Sequence, residues 1–138
     1  MRFTKPLWLA HSGEKRDAEV YSCDVSPCGT RLATGAGDGH VRVWSTAAIL
    51  HASDPSNTAP KQLASLSHHS GTVHSVRFSK NGKYLASGAD DKILCVYQLE
   101  PGAAGHATFG SNETQPVENW RIFRRLIGHD NDVQDLGW

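Results

Sequence analysis

The chain has few of the residues that would support redox, metal or membrane chemistry. Among its 138 residues are three cysteines, Cys23, Cys28 and Cys95, whose spacing fits neither a CxxC redox motif nor a zinc pattern. We therefore expect buried or incidental thiols and no metal site. The longest apolar runs, such as 93–97, are far too short to cross a bilayer, and 6–10 is too brief for the core of a signal peptide. These absences predict a protein of the cytosol or nucleus that does not bind membranes.

An excess of positive charge is also missing. Lysine and arginine together number 14, as do aspartate and glutamate, so the formal net charge is zero. Direct binding to nucleic acid normally needs a basic face, because neutralisation of the phosphates supplies most of the binding free energy. No such face is evident from the sequence, and we expect no direct sequence-specific binding to nucleic acid.

What the chain does contain is an internal repeat. The stretch 20–44 returns as 73–97 without a gap, and Gly29 and Gly82 are separated by the same 53 residues as Asp38 and Asp91. A third copy opens at 128 and continues to 138. Self-similarity on this scale indicates a repeat architecture, in which function resides on the surface of a stacked array.

Each copy has the pattern of consecutive short strands. Residues 73–78 alternate with period 2, and Asn81-Gly82 supplies a turn in which both residues accept a positive φ. We predict further strands at 84–87 and 93–97, separated by a turn at 88–91. Fourth strands are predicted at 63–66 in the first copy and 120–127 in the second.

Four-stranded units that open with Gly-His and close with Trp or Tyr resemble the blades of WD-repeat β-propellers. The predicted fold is therefore all-β, an incomplete propeller of two four-stranded blades plus the first strand of a third. The predicted organisation over 1–138 is a closing strand at 1–10, a first blade at 11–66 with an insert at 45–60, a second blade at 67–127 with an insert at 102–116, and the start of a third blade at 128–138.

The WD-repeat resemblance also implies a structural hydrogen-bond lock in each blade. It links a His before the first strand, a Ser or Thr in the second strand, an Asp in the following turn and a Trp in the third strand. The matching residues are Thr34, Asp38 and Trp44 in the first copy, His69, Ser87, Asp91 and Tyr97 in the second, and His129 in the third. For the His of the first copy the nearest residue is His11, displaced by the extra residues 14–18.

The lock has a competing interpretation, because Ser87, His69 and Asp91 are the residue types of a hydrolase triad. However, no G-x-S-x-G nucleophile elbow surrounds Ser87, and the same types occur at two equivalent positions. We therefore predict structural hydrogen bonding, no catalytic residue and no cofactor. The three histidines His68, His69 and His74 lack an established ligand spacing, so we predict no metal there.

Several longer motifs resemble a narrower family, the HIRA family of histone-regulatory chaperone subunits. They are Lys5-Pro6-Leu7-Trp8, the segments 26–35, 84–92, 109–111 and 117–121, and the tail 128–138. The resemblance implies a nuclear, non-catalytic scaffold subunit of a histone chaperone complex, with a role in replication-independent chromatin assembly and in repression of histone gene transcription. It further implies a ubinuclein-like partner subunit and indirect contact with core histones. Two alternatives stay open: the propeller subunit of the replication-coupled chromatin assembly factor, and a non-chromatin adaptor such as a ubiquitin-ligase substrate receptor.

The two inserts and the length of the chain lead to the last expectations. Each insert connects the third strand of its blade to the fourth, so both inserts emerge on the same face of the array. This face either binds a partner protein or carries loops without a role. Phe109 is the residue expected to bind a partner, because an exposed aromatic side chain in a Gly/Ser-rich loop is costly unless it packs. A closed propeller needs about seven blades, so the chain is either a fragment or an incomplete gene model. Expressed alone, it is expected to aggregate or to fold poorly.

Overall fold

The computed structural model describes residues 6–12, 16–101 and 117–138. It contains two four-stranded antiparallel sheets and a two-stranded ribbon, which confirms the predicted all-β propeller architecture. The ribbon is formed by β1 (His11–Ser12) and β2 (Asp17–Ala18). No helix in the described ranges is long and apolar enough to span a membrane.

The first sheet is a blade whose strands are adjacent in chain order, β3-β4-β5-β6. Its strands are β3 (Val20–Val25), β4 (Arg31–Ala36), β5 (Val41–Ser45) and β6 (Gln62–Leu66). Between β5 and β6 lies a short helix, α1 (Thr46–Leu50). Its N-cap is Ser45, whose hydroxyl oxygen accepts from the Ala48 amide at 3.3 Å. The sequence prediction of an insert at 45–60 did not anticipate this helix, although a Ser cap followed by good helix formers favours one.

The second sheet repeats the first, in the order β7-β8-β9-β10. Its strands are β7 (Val73–Phe78), β8 (Tyr84–Ala89), β9 (Ile93–Glu100) and β10 (Asn119–Ile127). The register of β10 on β9 shifts between Ile122 and Arg124, which is a β-bulge. The third strand is three residues longer than the 93–97 predicted from the repeat.

The hairpin turn between β7 and β8 differs from the prediction. A positive φ is found at Gly82 but not at Asn81, since Lys92 is the non-glycine residue with positive φ in the described ranges. The Gly82 amide donates to the Ser79 carbonyl at 2.8 Å, and the Asn81 side-chain oxygen accepts from the Lys83 amide at 3.0 Å. The Asn81 side chain therefore holds the turn by accepting an amide, and glycine alone takes the left-handed conformation.

The core lies between the two blades. The inner strands β3 and β7 pack side by side, whereas the outer strands β6 and β10 have few contacts, so the blades diverge outward. Small residues of the first blade pack against branched residues of the second. A Cβ placed on Gly35, for example, would lie 2.6 Å from Cγ1 of Val73. The core consists of Ala33, Val41, Val43, Ala64, Leu66, Val73, Val76, Phe78, Leu85, Ala89, Cys95, Tyr97 and Trp120.

The two end segments predicted as strands of other blades are not paired as strands in the described residues. Residues 133–138, expected as the first strand of a third blade, have no strand pairing, although Val133 donates its amide to the Ala89 carbonyl at 3.1 Å and packs over Gly88. Residues 6–10, expected within a closing strand, form a turn in which the Leu9 amide donates to the Pro6 carbonyl at 3.1 Å. Both segments lack a neighbouring strand in the described chain, and a strand needs a paired partner to satisfy its backbone groups.

Candidate functional site

A chain of buried hydrogen bonds runs through the first blade. The Trp44 indole N–H donates to Oγ1 of Thr34 at 2.8 Å, and Oγ1 lies 2.8 Å from Nε2 of His11. Nδ1 of His11 lies 3.0 and 3.1 Å from the two carboxylate oxygens of Asp38. A consistent assignment is that Thr34 donates to Nε2 and that Nδ1–H donates to Asp38, so all four side chains are satisfied by one directed relay.

The structure thus identifies His11 as the first histidine of this relay, a residue that the repeat offset alone did not reach. The ribbon β1–β2, in which His11 pairs with Ala18, accommodates the extra residues before β3. In the sequence, this histidine was indicated by the residue types of the relay and not by their spacing. Thr34, Asp38 and Trp44 supply three of its four members, and the imidazole is the one that remains to be found. The His11 side chain is 1% exposed, although it precedes Thr34 by 23 residues.

The second blade has the same relay with one member changed. Nε2 of His69 lies 2.7 Å from Oγ of Ser87, and Nδ1 lies 2.9 Å from Asp91. Asp91 also accepts the backbone amides of Ser70 at 3.0 Å and Ile93 at 3.1 Å. Tyr97 stands where the first blade has Trp44, and its buried hydroxyl has no hydrogen-bond partner in the described part of the chain.

Burial and hydrogen bonding displace several pKa values in the relays. Burial, assisted by the nearby Arg42 charge, lowers the pKa of His11, so the neutral imidazole assigned above is favoured. For Asp38 burial alone would raise the pKa, but hydrogen bonds from the His40 amide and the His11 ring outweigh it and lower the pKa. The pKa of Asp91 is lowered in the same way, against its burial, by the amides and by the His69 ring.

The triad-like set cannot present a nucleophile in this arrangement. Ser87 is 0% exposed, and its hydroxyl lies 2.7 Å from Nε2 of His69. The neighbouring Tyr97 is also 0% exposed, and burial raises the pKa of its hydroxyl. Ser87 is thus fully buried and hydrogen-bonded within the relay, an arrangement that serves packing and orientation in the blade.

The remaining histidines of the sequence analysis do not join these relays. His68 packs against the Tyr97 ring at 5.5 Å between centroids, and His74 is hydrogen-bonded to the Asp90 carboxylate. No group of three metal-ligating side chains occurs in the ranges 6–12, 16–101 and 117–138. His129 is exposed, and no hydrogen bond of its side chain is found there. Phe109 lies outside the described residues.

A feature that sequence reasoning missed joins the inner strands of the two blades. Oγ of Ser22 accepts from the Val76 amide at 3.2 Å, and the Asp24 carboxylate accepts from the Phe78 amide at 2.7 Å. In the next position along the array, Asp135 accepts from the Arg77 guanidinium at 3.0 Å. Side chains of one blade therefore satisfy backbone amides on the open edge of the next, which period-2 patterning does not reveal.

A second missed contact joins the beginning of β4 to the residue that precedes β10. The Arg31 Nε donates to both carboxylate oxygens of Glu118 at 2.9 and 2.8 Å, and the Glu118 amide donates to the Leu63 carbonyl at 2.9 Å. Arg31 follows the first hairpin turn, and Glu118 immediately precedes β10. This bidentate pair, partly shielded from water, links the first blade to the outer strand of the second.

The three cysteines differ in environment. Cys95 is buried and its pKa is raised by burial, while Cys23 is exposed on β3. Cys28 is exposed in the first hairpin turn, where contacts with the hydroxyls of Ser26 and Thr30 lower its pKa to about 7. No second cysteine or metal-ligating group accompanies it in the described ranges, so it carries no assigned role.

Comparison with protein families and known structures agrees with this architecture. The model of the WD domain, G-beta repeat, matches residues 6–45 and 60–98. Two solved β-propellers are similar in fold: the Cps50 (Swd1) β-propeller domain of Myceliophteria thermophila, with a TM-score of 0.56, 13% identity and 80% of this chain covered, and the WD40 repeats of RRP9, with a TM-score of 0.57, 17% identity and 89% covered. The match spans 29% of each of those chains.

Sequence relatives are far more similar than these structures. The protein HIR1 of Aspergillus oryzae is 69% identical over 100% of this chain, and hir-1 of Neurospora crassa is 63% identical over 100% of it. The chain spans 13% of the length of each of these curated relatives.

Proposed function

Because the chain belongs to the WD domain, G-beta repeat family, and its similarity to HIR1 proteins confirms the resemblance to the HIRA family, we propose that it is part of a non-catalytic scaffold subunit of a histone chaperone complex. The observation that carries the proposal is the identity of 69% with HIR1 of Aspergillus oryzae, extending over the whole chain. Such identity over 100% of the chain extends well beyond the few residues that the repeat itself requires.

The geometry supports a scaffold because every triad-like residue is used internally. His11, Thr34 and Asp38 of the first relay contact each other, as do His69, Ser87 and Asp91 of the second. What remains available to other molecules is the outer surface of the blades and their connecting loops. Surfaces of this kind bind proteins, whereas catalysis needs a cleft with convergent reactive groups.

The finer parts of the proposal concern the complete protein. We assign it to the nucleus, to replication-independent chromatin assembly and to repression of histone gene transcription, with a ubinuclein-like subunit as direct partner and core histones as indirect ones. The name HIR1 of the relatives favours this assignment over the subunit of the replication-coupled assembly factor and over a ubiquitin-ligase receptor.

The test is to purify the tagged full-length protein from nuclear extract and to identify the co-purifying chains by mass spectrometry. We expect core histones and a ubinuclein-like subunit, and we expect that subunit to be lost from a matched protein that lacks residues 1–138. Recovery of replication-coupled assembly subunits instead, or of ubiquitin-ligase components, would reject the assignment.

A further inference from the structure

The outer strand of the second blade concentrates positive charge, although the net formal charge of the whole chain is zero. β10 contains Arg121, Arg124 and Arg125 and no acidic residue. The equivalent outer strand of the first blade, β6, contains no charged residue. The arginines are therefore a property of this strand and not of the blade pattern.

Two of these arginines are free to bind a ligand. Arg121 pairs with Glu100 at 3.2 Å, but Arg124 and Arg125 form no ion pair in the described part of the chain. The Arg124 guanidinium lies 4.5 Å from the centre of the Phe123 ring and donates to the Phe123 carbonyl at 2.9 Å, which holds it in place. All three arginines are exposed.

The strand also offers an unpaired backbone edge. β10 is hydrogen-bonded to β9 on one side and is the last strand of its sheet, so the N–H and C=O groups on its other side are unpaired. Arg124 pairs with Val96 and Arg125 with Cys95, so these consecutive arginines project from opposite faces of the sheet. Positive charge thus flanks the free edge on both sides.

We propose that the free edge of β10 binds an extended acidic segment of a partner protein, which adds to the sheet as a fifth strand. Backbone pairing along the edge supplies affinity that is independent of sequence, and carboxylates of the segment meet Arg124 and Arg125. Exposed apolar side chains beside the arginines, Ile122 at 36% and Phe123 at 41%, favour apolar residues between the acidic ones.

The combination selects a peptide over nucleic acid. A nucleic acid could neutralise the arginines, but it could not use unpaired backbone groups spaced for a β-strand. The exposed apolar side chains would likewise gain little beside a phosphate backbone. The site does not depend on the histone-chaperone assignment, since it consists of β10 alone.

The test uses the full-length protein and a fluorescein-labelled peptide of about ten residues, a length that matches one strand. In this peptide pairs of Asp alternate with pairs of Val, so that each Asp pair places one carboxylate on each face of the added strand. We expect Arg124→Glu with Arg125→Glu to weaken binding about tenfold, as reversal of two charge contacts predicts. The control is Lys80→Glu with Lys83→Glu, which changes the net charge equally on an exposed turn of the same blade and is expected to change affinity less than about twofold.

Two further probes separate strand pairing from charge attraction. A peptide of the same sequence, N-methylated at every residue, keeps every carboxylate but has no backbone N–H on either edge to donate to the sheet, and we expect it to lose most of the affinity. The double variant Arg124→Lys with Arg125→Lys keeps the positive charge, and we expect it to retain binding. Retained binding would show that substitution at these two positions does not by itself disrupt the site. Three outcomes would each overturn the proposal. They are equal weakening of binding by the two Glu double variants, full binding of the methylated peptide, and tighter arginine-dependent binding of a short duplex DNA.

Discussion

At the residue scale, the two relays show how one position decides whether a buried polar group is satisfied. Trp44 donates its indole N–H to Thr34, whereas the Tyr97 hydroxyl finds no partner beside Ser87 in the described chain. An unpaired buried hydroxyl costs about 1–3 kcal/mol, so we expect the second relay to contribute less to stability than the first. Asp91 compensates in part by accepting two backbone amides as well as the His69 ring.

Replacement of Asp91 by Ala should therefore destabilise the propeller by about 1–3 kcal/mol, because the partly buried His69 ring and Ile93 amide lose their acceptor, as does the exposed Ser70 amide. Denaturation of the full-length protein, followed by tryptophan fluorescence, measures the change. The matched control is Asp130→Ala at an exposed aspartate, where we expect less than about 0.5 kcal/mol. Equal effects of the two substitutions would mean that the relay does not stabilise the blade.

The relays should also make stability depend on pH. The folded-state pKa of His11 is lowered from its ordinary 6.5, so below that pH the unfolded chain binds a proton that the folded chain rejects. Stability is thus fully present above pH 6.5 and is lost as the pH falls through the range below it. Burial lowers the pKa of His68 as well, which adds a loss in the same direction.

The measurement is the melting temperature of the full-length protein between neutral pH and about pH 5.5, a range set by the ordinary histidine pKa. We expect a decline that becomes shallower in the His11→Gln variant, whose side chain can still hydrogen-bond but does not titrate. An unchanged slope in that variant would show that His11 does not contribute to it.

At the scale of elements, the joint between blades depends on the fit of a small residue to a branched one. A Cβ on Gly35 would approach Cγ1 of Val73 to 2.6 Å and Cγ1 of Val76 to 3.0 Å, closer than ordinary contacts allow. Both valines are fully buried on β7, so they cannot move toward solvent. The blades are therefore fixed at a spacing that leaves no room for a methyl group.

Gly35→Ala should cost about 1–3 kcal/mol through overpacking, measured as above by denaturation of the full-length protein. Adding Val73→Ala should restore part of the loss, because the smaller side chain makes room for the new methyl group. Gly137→Ala serves as control, since a Cβ there would meet nothing within 4 Å. Additive losses in the double variant would show that the two positions do not share a contact.

The sequence was informative about the elements wherever the repeat was regular. The offset between Gly29 and Gly82 predicted β3–β5 and β7–β9, because alternating side chains and turn residues are local signals. The sequence did not predict the contact between Arg31 and Glu118, because these residues are 87 positions apart and the repeat offers no equivalent pair. It also missed α1, whose five residues lie inside an insert that the repeat does not cover.

At the scale of the molecule, two blades leave apolar surface uncovered. On β10, Leu126 is 50% and Ile127 is 80% exposed, and on the opposite side of the array an open apolar pocket is lined by Leu9, Val20, Leu32 and Trp44, among other residues. Repeat proteins generally need three or more units to cover such faces. The surfaces are suited to further repeats of the same kind.

The 138-residue chain expressed alone should therefore aggregate or fold poorly. Thermal melting followed together by circular dichroism and light scattering measures this directly. We expect scattering to rise without a cooperative transition. A cooperative melt of a soluble monomer would show that two blades suffice for stability.

The pairing of Gly35 with Val73 recurs where Val133 packs over Gly88, and this recurrence bears on how such proteins evolve. The second blade presents Val73 to the blade before it and Gly88 to the segment after it, so the two joints seen in the described chain pair the same residue types. A gene duplication that copies one whole blade inserts a unit that already fits both of its new neighbours. Blade number can then change by single duplications, whereas substitutions at either half of a joint must change together to be tolerated.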